Sequence, residues 1–170
     1  MDTERMMAST ADFAEQFGRI ADGDPWYGPN IEQVLANVTT TDAAAHPIPA
    51  AHSIWELTLH LTAWVREVER RLRLGVWQAP AEGDWPTPAA VSPANWNAAV
   101  NALSEAHASL VAELSRFPEA RLDEMLGGTR DQSMGTGQTY RQMLHGLLQH
   151  DAYHLGQISL LKKALELSRA

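Results

Sequence analysis

Four stretches of the chain repeat apolar residues every three or four positions, which is the spacing of a helix that buries one face. No stretch combines sustained apolar–polar alternation with β-branched enrichment, so the pattern predicts no strands. The last helical stretch is the clearest, and two members of its apolar seam are imidazoles in positions that favour leucine. That seam consists of Tyr140, Met143, Leu147, His150, His154, Ile158, Leu161 and Leu165.

Capping residues mark where two of these helices begin. Ser53 and Glu56 have the spacing of a capping box, in which each side chain bonds to the backbone N–H of the other residue. They predict a second helix that starts behind Ser53 and stops at Gly75. Thr139 and Gln142 predict the same arrangement at the start of the last helix.

Prolines mark the other two helices. Ser92 as N-cap, followed by Pro93 in the first turn, opens the third helix, and Pro118 closes it. The first helix is predicted over about residues 3–21 and is interrupted by DGDPWYGP, after which Pro29 opens a second piece as a first-turn proline. These elements predict an all-α fold, a four-helix bundle with a crossover connection and a split first helix.

The composition limits the classes of protein to which this chain can belong. Its 170 residues, 45% of them hydrophobic, suit a single globular domain over residues 1–170. A net charge of −8 without a basic stripe argues against nucleic-acid binding. A membrane span needs about 18 consecutive apolar residues, and a signal peptide needs an apolar segment near the N-terminus; neither is found. We therefore expect a cytoplasmic protein.

Missing residue types and motifs exclude several chemistries. The chain contains no cysteine, so disulfides, thiolate metal ligands and a cysteine nucleophile are excluded, and any thiol must come from a co-substrate. No GxGxxG or GxxxxGK[ST] string supports nucleotide binding, and no HExxH motif supports a zinc protease. The Glu-x-x-His pairs of a di-iron bundle are also missing.

His150 and His154 are the strongest candidates for chemistry. Residues four apart lie about 40° apart on one helix face, so the two rings can converge on one point. A polar ring in an apolar seam needs a partner, and one metal ion satisfies both imidazoles at once. The alternative is a pair of hydrogen-bonded core histidines, which the short pattern does not exclude.

Helix geometry sorts the remaining histidines. His60 lies about 60° from the centre of the second helix's apolar stripe, on the same side as Trp64, so it can face the inner edge of the bundle. His145 lies about 180° from His154 around the last helix and is expected at the surface or in an interface. His107 lies on the third helix's stripe and is a weaker ligand candidate.

We therefore hypothesise one divalent metal ion held by His60, His150 and His154, with an open coordination position. Three neutral imidazoles and a water are typical of a catalytic zinc site. Nickel, iron or manganese also accept nitrogen ligands, and the spacing does not choose among them. Asp151 and Gln157 are candidates for supporting the ligands or for contacting a bound water or substrate.

Several other residues have both a structural and a functional interpretation. Glu56 is explained by its capping box but could also support the metal site, and Asp151 could be a solvated polar position. Arg130 and Asp131 could hold a charged substrate, although a surface ion pair explains them as well. Three loop tryptophans are expected to pack onto the ends of the bundle rather than roof a pocket or form an oligomer interface. They are Trp26, Trp77 and Trp85.

These residues resemble the signature of the DinB-like superfamily, which includes the YfiT-type proteins. Two blocks carry the resemblance, HSIWELTLHLTAWVREVERRL at 52–72 and YRQMLHGLLQHDAYHLGQISLLKK at 140–163. The string His-x-x-x-His-x-Gly-Gln-Ile that starts at His150 is similar to the family's motif, and so is a histidine followed four residues later by tryptophan, here His60 and Trp64. Elsewhere the order of the helices agrees.

The resemblance implies a four-helix bundle with an unusual crossover and a metal site whose ligands fall on His60, His150 and His154. It implies zinc or nickel as the metal, and frequent homodimers. Characterised relatives are thiol-dependent transferases and isomerases that use bacillithiol, mycothiol or glutathione. Other members are induced by DNA damage or stress.

Three functions are compatible with these residues. The first is a metal-dependent S-transferase that joins a low-molecular-weight, bacillithiol-like thiol to an electrophile. The second is a metal-dependent hydrolase that needs no thiol. The third is a non-enzymatic stress protein or DNA-damage-inducible protein whose metal is structural, with His107 or Glu56 as the fourth ligand that a closed site requires.

Overall fold

The computed structural model describes residues 7–127 and 137–169, and within them the fold is all-α, as the periodicity predicts. Strand-like pairing in these ranges is limited to two isolated bridges, Val76 with Gly127 and Met125 with Thr139. The helices are α1 (Thr10–Ala21), α2 (Ile31–Leu35), α3 (Thr40–Ala44), α4 (Ile54–Leu74), α5 (Pro93–Leu114) and α6 (Tyr140–Leu167), with a 3₁₀ turn at Glu119–Arg121.

The four longer helices, α1, α4, α5 and α6, form the bundle. Helix α5 packs against α4 and α1, and α6 packs against the same two helices. The short helices cover this frame, because α2 packs on α6 while α3 packs on α4 and α5. Within the described ranges, no helix combines the length and apolar character that crossing a membrane requires. The path of the crossover stays a prediction.

The predicted capping residues set the starts of the long helices. Ser53 and Glu56 form the reciprocal capping box in front of α4, and Thr139 and Gln142 form the same arrangement in front of α6. Gly75 ends α4 in the left-handed conformation, with φ 71°, where a Cβ would lie 3.2 Å from the Tyr140 hydroxyl. These bounds agree with the sequence because each depends on local hydrogen bonds.

The prediction for the first helix is partly wrong. Helix α1 begins at Thr10 rather than near residue 3, because Ser9 and Asp12 form a capping box that sets its start. Its second piece begins behind Asn30, which caps α2 reciprocally with Gln33, so Pro29 precedes the cap and is not a first-turn residue. A capping asparagine therefore decides this boundary, not the proline.

The third helix ends earlier than Pro118 alone would suggest. Helix α5 stops at Leu114, and the N–H groups of Arg116 and Phe117 donate to carbonyls three residues back, which tightens the chain into a final turn. The residue before a proline avoids the helical region, so the helix relaxes before it reaches Pro118. Phe117 nevertheless stays buried in the core.

The core consists of two apolar clusters with a polar layer between them. One cluster contains Leu103 of α5 and Leu155 of α6, and the other contains Leu110 and Leu147 of the same two helices. Between these leucines, α5 carries His107 and α6 carries His150, Asp151 and His154. A polar layer at this depth requires internal partners for its nitrogen and oxygen atoms.

Candidate metal centre

Helices α4 and α6 bring the three predicted ligands together. His60 of α4 and His154 of α6 are buried, and His150 of α6 is half-buried. One ring nitrogen of each lies within 4.8 Å of the others, and the Nε2 atoms of His60 and His150 are 2.9 Å apart. The three residues thus form a compact group of nitrogen donors.

Two of the three rings are fixed by hydrogen bonds on their outer nitrogens. His60 Nδ1 donates to the backbone carbonyl of Asp84 over 2.6 Å, and His154 Nδ1 donates to the Gln157 amide oxygen over 2.7 Å. Since a neutral imidazole carries one hydrogen, Nε2 of each ring holds a free lone pair. An outer N–H bound to a neighbour and an inner lone pair are typical of a metal-ligating histidine.

The electrostatics of the group suit a cation. Burial above all lowers the pKa of His60, and burial together with the neighbouring His150 and His60 lowers the pKa of His154 to about 4, although the bond to Gln157 opposes the shift. His154 is therefore neutral at pH 7. Lone pairs 2.9 Å apart repel each other unless a proton or a cation lies between them. The donor set fits a divalent metal ion.

Trp85 roofs this group. Its ring stacks on His60, with centroids 3.9 Å apart and planes 10° apart, and it also stacks on His52, with centroids 3.5 Å apart. The preceding Asp84 fixes the roof, since its carboxylate accepts a hydrogen bond from Trp64 Nε1 over 2.7 Å. The expectation that the loop tryptophans pack onto the bundle ends is wrong for Trp85.

The other two loop tryptophans behave differently. Trp26 is fully exposed, so it does not pack onto an end of the bundle either. The Trp77 ring lies under the Arg71 guanidinium, 4.9 Å from its centroid, in a cation–π contact. Only Trp85 therefore reaches the histidine group among these three.

A cavity of about 400 Å³ opens beside the three histidines. It extends along α4 from His60 to Arg71 and along the first half of α6. Its walls are mostly apolar and aromatic, which is typical of sites for small organic molecules. They are formed by Trp64, Val68, Trp85, Met143 and Leu147, together with the polar residues Arg71, Asp84 and Gln138.

The predicted supporting residues take different positions. Gln157 contacts the group directly through His154. Asp151 is fully buried, so the alternative of a solvated polar position is wrong, and its Oδ2 lies 3.2 Å from His107 Nε2. Glu56 serves as a capping residue: burial raises its pKa, but bonds to Ser53 and His46 outweigh that effect and lower it.

His145 lies apart from the histidine group. His145 is exposed and packs edge-on against Phe13, with centroids 4.8 Å apart, as expected for the far side of α6. Arg130 and Asp131 lie outside the described residues.

Two contributions to the group escape analysis of the sequence. The Asp84 carbonyl belongs to the backbone, so its bond to His60 cannot be predicted from the type of residue at that position. Trp85 is one of several tryptophans in loops rich in proline and glycine, and no spacing singles it out.

Comparison with known proteins identifies the family. The sequence model of the DinB superfamily matches residues 29–158, which is most of the chain and includes all three histidines. Neither a curated protein nor a solved structure gives a significant match. The chain belongs to the DinB superfamily.

Proposed function

We propose that this protein is a metal-dependent enzyme that transfers a low-molecular-weight, bacillithiol-like thiol to an electrophile. The ligands are His60, His150 and His154, and the metal is zinc or nickel. The observation that carries the proposal is that nitrogen atoms of three imidazoles converge beside a mostly apolar cavity. A metal ion held by these three residues would have a coordination position left for a small molecule in that cavity.

The lack of a fourth protein ligand in the described ranges supports an enzyme rather than a structural metal. No other histidine, cysteine, aspartate or glutamate of residues 7–127 and 137–169 joins the three-residue group. Glu56 bonds to the backbone N–H of Ser53 over 2.7 Å, and His107 bonds to Asp151. Structural sites normally hold four protein ligands, so an incomplete shell favours catalysis.

The chain's own residues suit a reaction with an external thiol. A divalent cation at this position would lower the pKa of a thiol in its open position and so favour the thiolate. The chain has no cysteine that could compete for the cation. Trp85 restricts the access of water to His60, and Trp64 and Met143 offer apolar surface to the electrophile.

The shape of the cavity supports a substrate of moderate length. His60 and Arg71 are eleven residues apart on α4, which corresponds to about 16 Å of helix. A volume of about 400 Å³ lies within the range of small-molecule sites, about 300–1,000 Å³. A thiol of a few hundred daltons can therefore extend along α4 while its sulfur lies at the histidines.

The test uses protein loaded with zinc or nickel, a panel of thiols and monochlorobimane. The thiol sulfur attacks the chloromethyl carbon, chloride leaves, the thiol proton passes to solvent, and the conjugate fluoresces. We expect bacillithiol, mycothiol or glutathione to react faster with the enzyme than without it. The variant His154→Gln should abolish the gain, and His145→Gln, on the far side of the same helix, should keep it.

Three outcomes would contradict the proposal. No rate above background with any thiol in either metal form would exclude the transferase. Turnover of ester or amide substrates without added thiol would instead favour the hydrolase. X-ray absorption that finds four protein ligands on the metal would count against both enzymes.

A further inference from the structure

The strongest unexplained feature is a buried pair behind the histidine group. His107 of α5 and Asp151 of α6 are both completely buried, and His107 Nε2 lies 3.2 Å from Asp151 Oδ2. A pair of ionisable groups at this depth lowers stability unless its hydrogen bonds are complete. The bonds that it makes, and the one that it lacks, indicate its role.

His107 is satisfied on both of its nitrogens. Nδ1 donates to the Leu103 carbonyl over 3.1 Å, so the other nitrogen must also carry a hydrogen in order to donate to the carboxylate. Burial opposes this charge, but the bond to Asp151 and its negative charge outweigh burial and raise the pKa of His107. His107 is thus the cation that holds Asp151 Oδ2 in position.

The other oxygen of Asp151 has no partner, and neither does the nearest histidine nitrogen. Asp151 Oδ1 and His150 Nδ1 are both buried without a hydrogen bond among the described residues, and they lie 3.8 Å apart. Unpartnered buried polar atoms are rare, because each loses its hydration without compensation. Here two such atoms face each other, one an acceptor and the other a potential donor.

The hydrogen bonding of the outer nitrogen distinguishes His150 from the other two rings. His60 and His154 each donate Nδ1–H to an oxygen, whereas His150 does not. Without a metal, the His150 proton can lie on Nε2 and bond to His60 Nε2, 2.9 Å away. A metal at the centre requires the Nε2 lone pair, so the proton must move to Nδ1, which faces Asp151 Oδ1.

We propose that Asp151, held by His107, is the positioning residue that accepts the Nδ1–H of His150 when the metal is bound. This inference rests on the proposed metal site and adds the third outer hydrogen bond to those made by Asp84 and Gln157. A carboxylate behind a ligating imidazole fixes its tautomer and raises its basicity. His107 acts one step further away, because it keeps the carboxylate pointing at His150.

The first measurement is the affinity of purified full-length protein for zinc, obtained by competition with a chromophoric chelator. Asp151→Asn keeps the size of the side chain but loses the carboxylate, and we expect zinc to bind about 10- to 100-fold more weakly. In the zinc-loaded wild type, NMR of ¹⁵N-labelled histidine should find the His150 proton on Nδ1. The resonance of this proton should be shifted downfield by its hydrogen bond to the carboxylate, and the variant should lack that shift.

A second variant separates positioning from simple stability. The double variant His107→Leu with Asp151→Leu removes both buried charges together. In the presence of a chelator it should therefore resist urea as well as the wild type does, whereas Asp151→Asn leaves His107 without its anionic partner. Zinc affinity should nevertheless stay as weak as in Asp151→Asn. Recovery of affinity together with stability would overturn the proposal, as would a His150 proton on Nε2 in the zinc form.

The outcomes for the two proposals are distinguishable. If the wild type binds neither zinc nor nickel, both the proposed function and the proposed role of Asp151 are excluded. If the wild type binds metal and Asp151→Asn binds it equally well, only the role of Asp151 falls. If affinity changes as expected but no thiol reacts, the transferase falls and the positioning role stands.

Discussion

His154 contributes a predictable part of the pH dependence of stability in the metal-free protein. Its pKa is about 4 in the folded chain, mainly through burial, and 6.5 in the unfolded chain. Between these values the unfolded state binds the proton more readily. The free energy of unfolding should therefore fall as pH falls from 6.5 to 4, by at most about 1.4 kcal/mol per pH unit for this group. Urea unfolding in the presence of a chelator measures the slope.

His107 contributes to how the free energy of unfolding changes with pH above 6.5. Because its pKa is raised in the folded state, its contribution is complete below pH 6.5 and is lost as pH rises through the folded value. The combined contribution of these two residues to stability is therefore greatest close to pH 6.5. The variant His154→Gln should reduce the acid slope, and the remainder comes from other groups whose pKa is lowered in the folded state, among them His60 and Glu56. Stability that rises toward pH 4 would contradict this assignment.

The residues that can be predicted from sequence are those whose helix dictates their direction. His150 and His154 interrupt an apolar seam, so their inward orientation follows from the 3.6-residue period. The direction of His60 follows less directly, from its angle to the apolar stripe of its helix. The partner of His107 could not be predicted, because contact between α5 and α6 depends on how two helices pack rather than on either sequence pattern.

The connection between α4 and α5, residues 75–92, works as one element of the site. It supplies the Asp84 carbonyl that holds His60 and the Trp85 ring that covers it, and it is tied to α4 by the ion pair of Glu82 with Arg66 at 2.8 Å. Trp85→Ala removes the cover but leaves the backbone carbonyl. An aromatic stacking contact contributes about 0.5–1.5 kcal/mol, so we expect zinc to dissociate about 2- to 10-fold faster.

Stopped-flow mixing of the zinc-loaded protein with excess chelator measures this rate. Trp26→Ala is the matched control, because Trp26 also lies in a loop but is fully exposed. Equal dissociation rates in the wild type and Trp85→Ala would mean that the stack neither shields nor holds the ligand.

At the scale of elements, local hydrogen bonding separates the bounds that sequence predicts from those that it does not. The starts of α4 and α6 follow from capping boxes, and the end of α4 follows from a glycine. The start of α1 differs because helical periodicity continues past Ser9 toward the N-terminus and hides the cap. The sequence of residues 75–92 has no helical or strand periodicity, and the path of this connection depends on its contacts with α4.

For the whole molecule, the histidine group links distant parts of the chain. His60 and His150 are ninety residues apart in sequence, and they lie at the level where the two apolar clusters of the core meet. A metal ion that binds only the folded arrangement must stabilise the entire bundle. The free energy of unfolding rises by RT ln(1 + [L]/Kd), where [L] is the concentration of free metal; this is about 2.7 kcal/mol when free metal is 100 times Kd.

Thermal unfolding over a series of buffered free zinc concentrations tests this linkage. The slope of the free energy of unfolding against the logarithm of free zinc gives the number of ions bound per chain. Above Kd, one ion per folded chain raises the free energy of unfolding by about 0.6 kcal/mol for each e-fold increase in free zinc. His150→Ala should lose this slope and His145→Ala should keep it, since both lose an imidazole from α6 but only His150 belongs to the group. A slope that persists in His150→Ala would assign the stabilising ion to another surface, and a doubled slope would require a second ion in each chain.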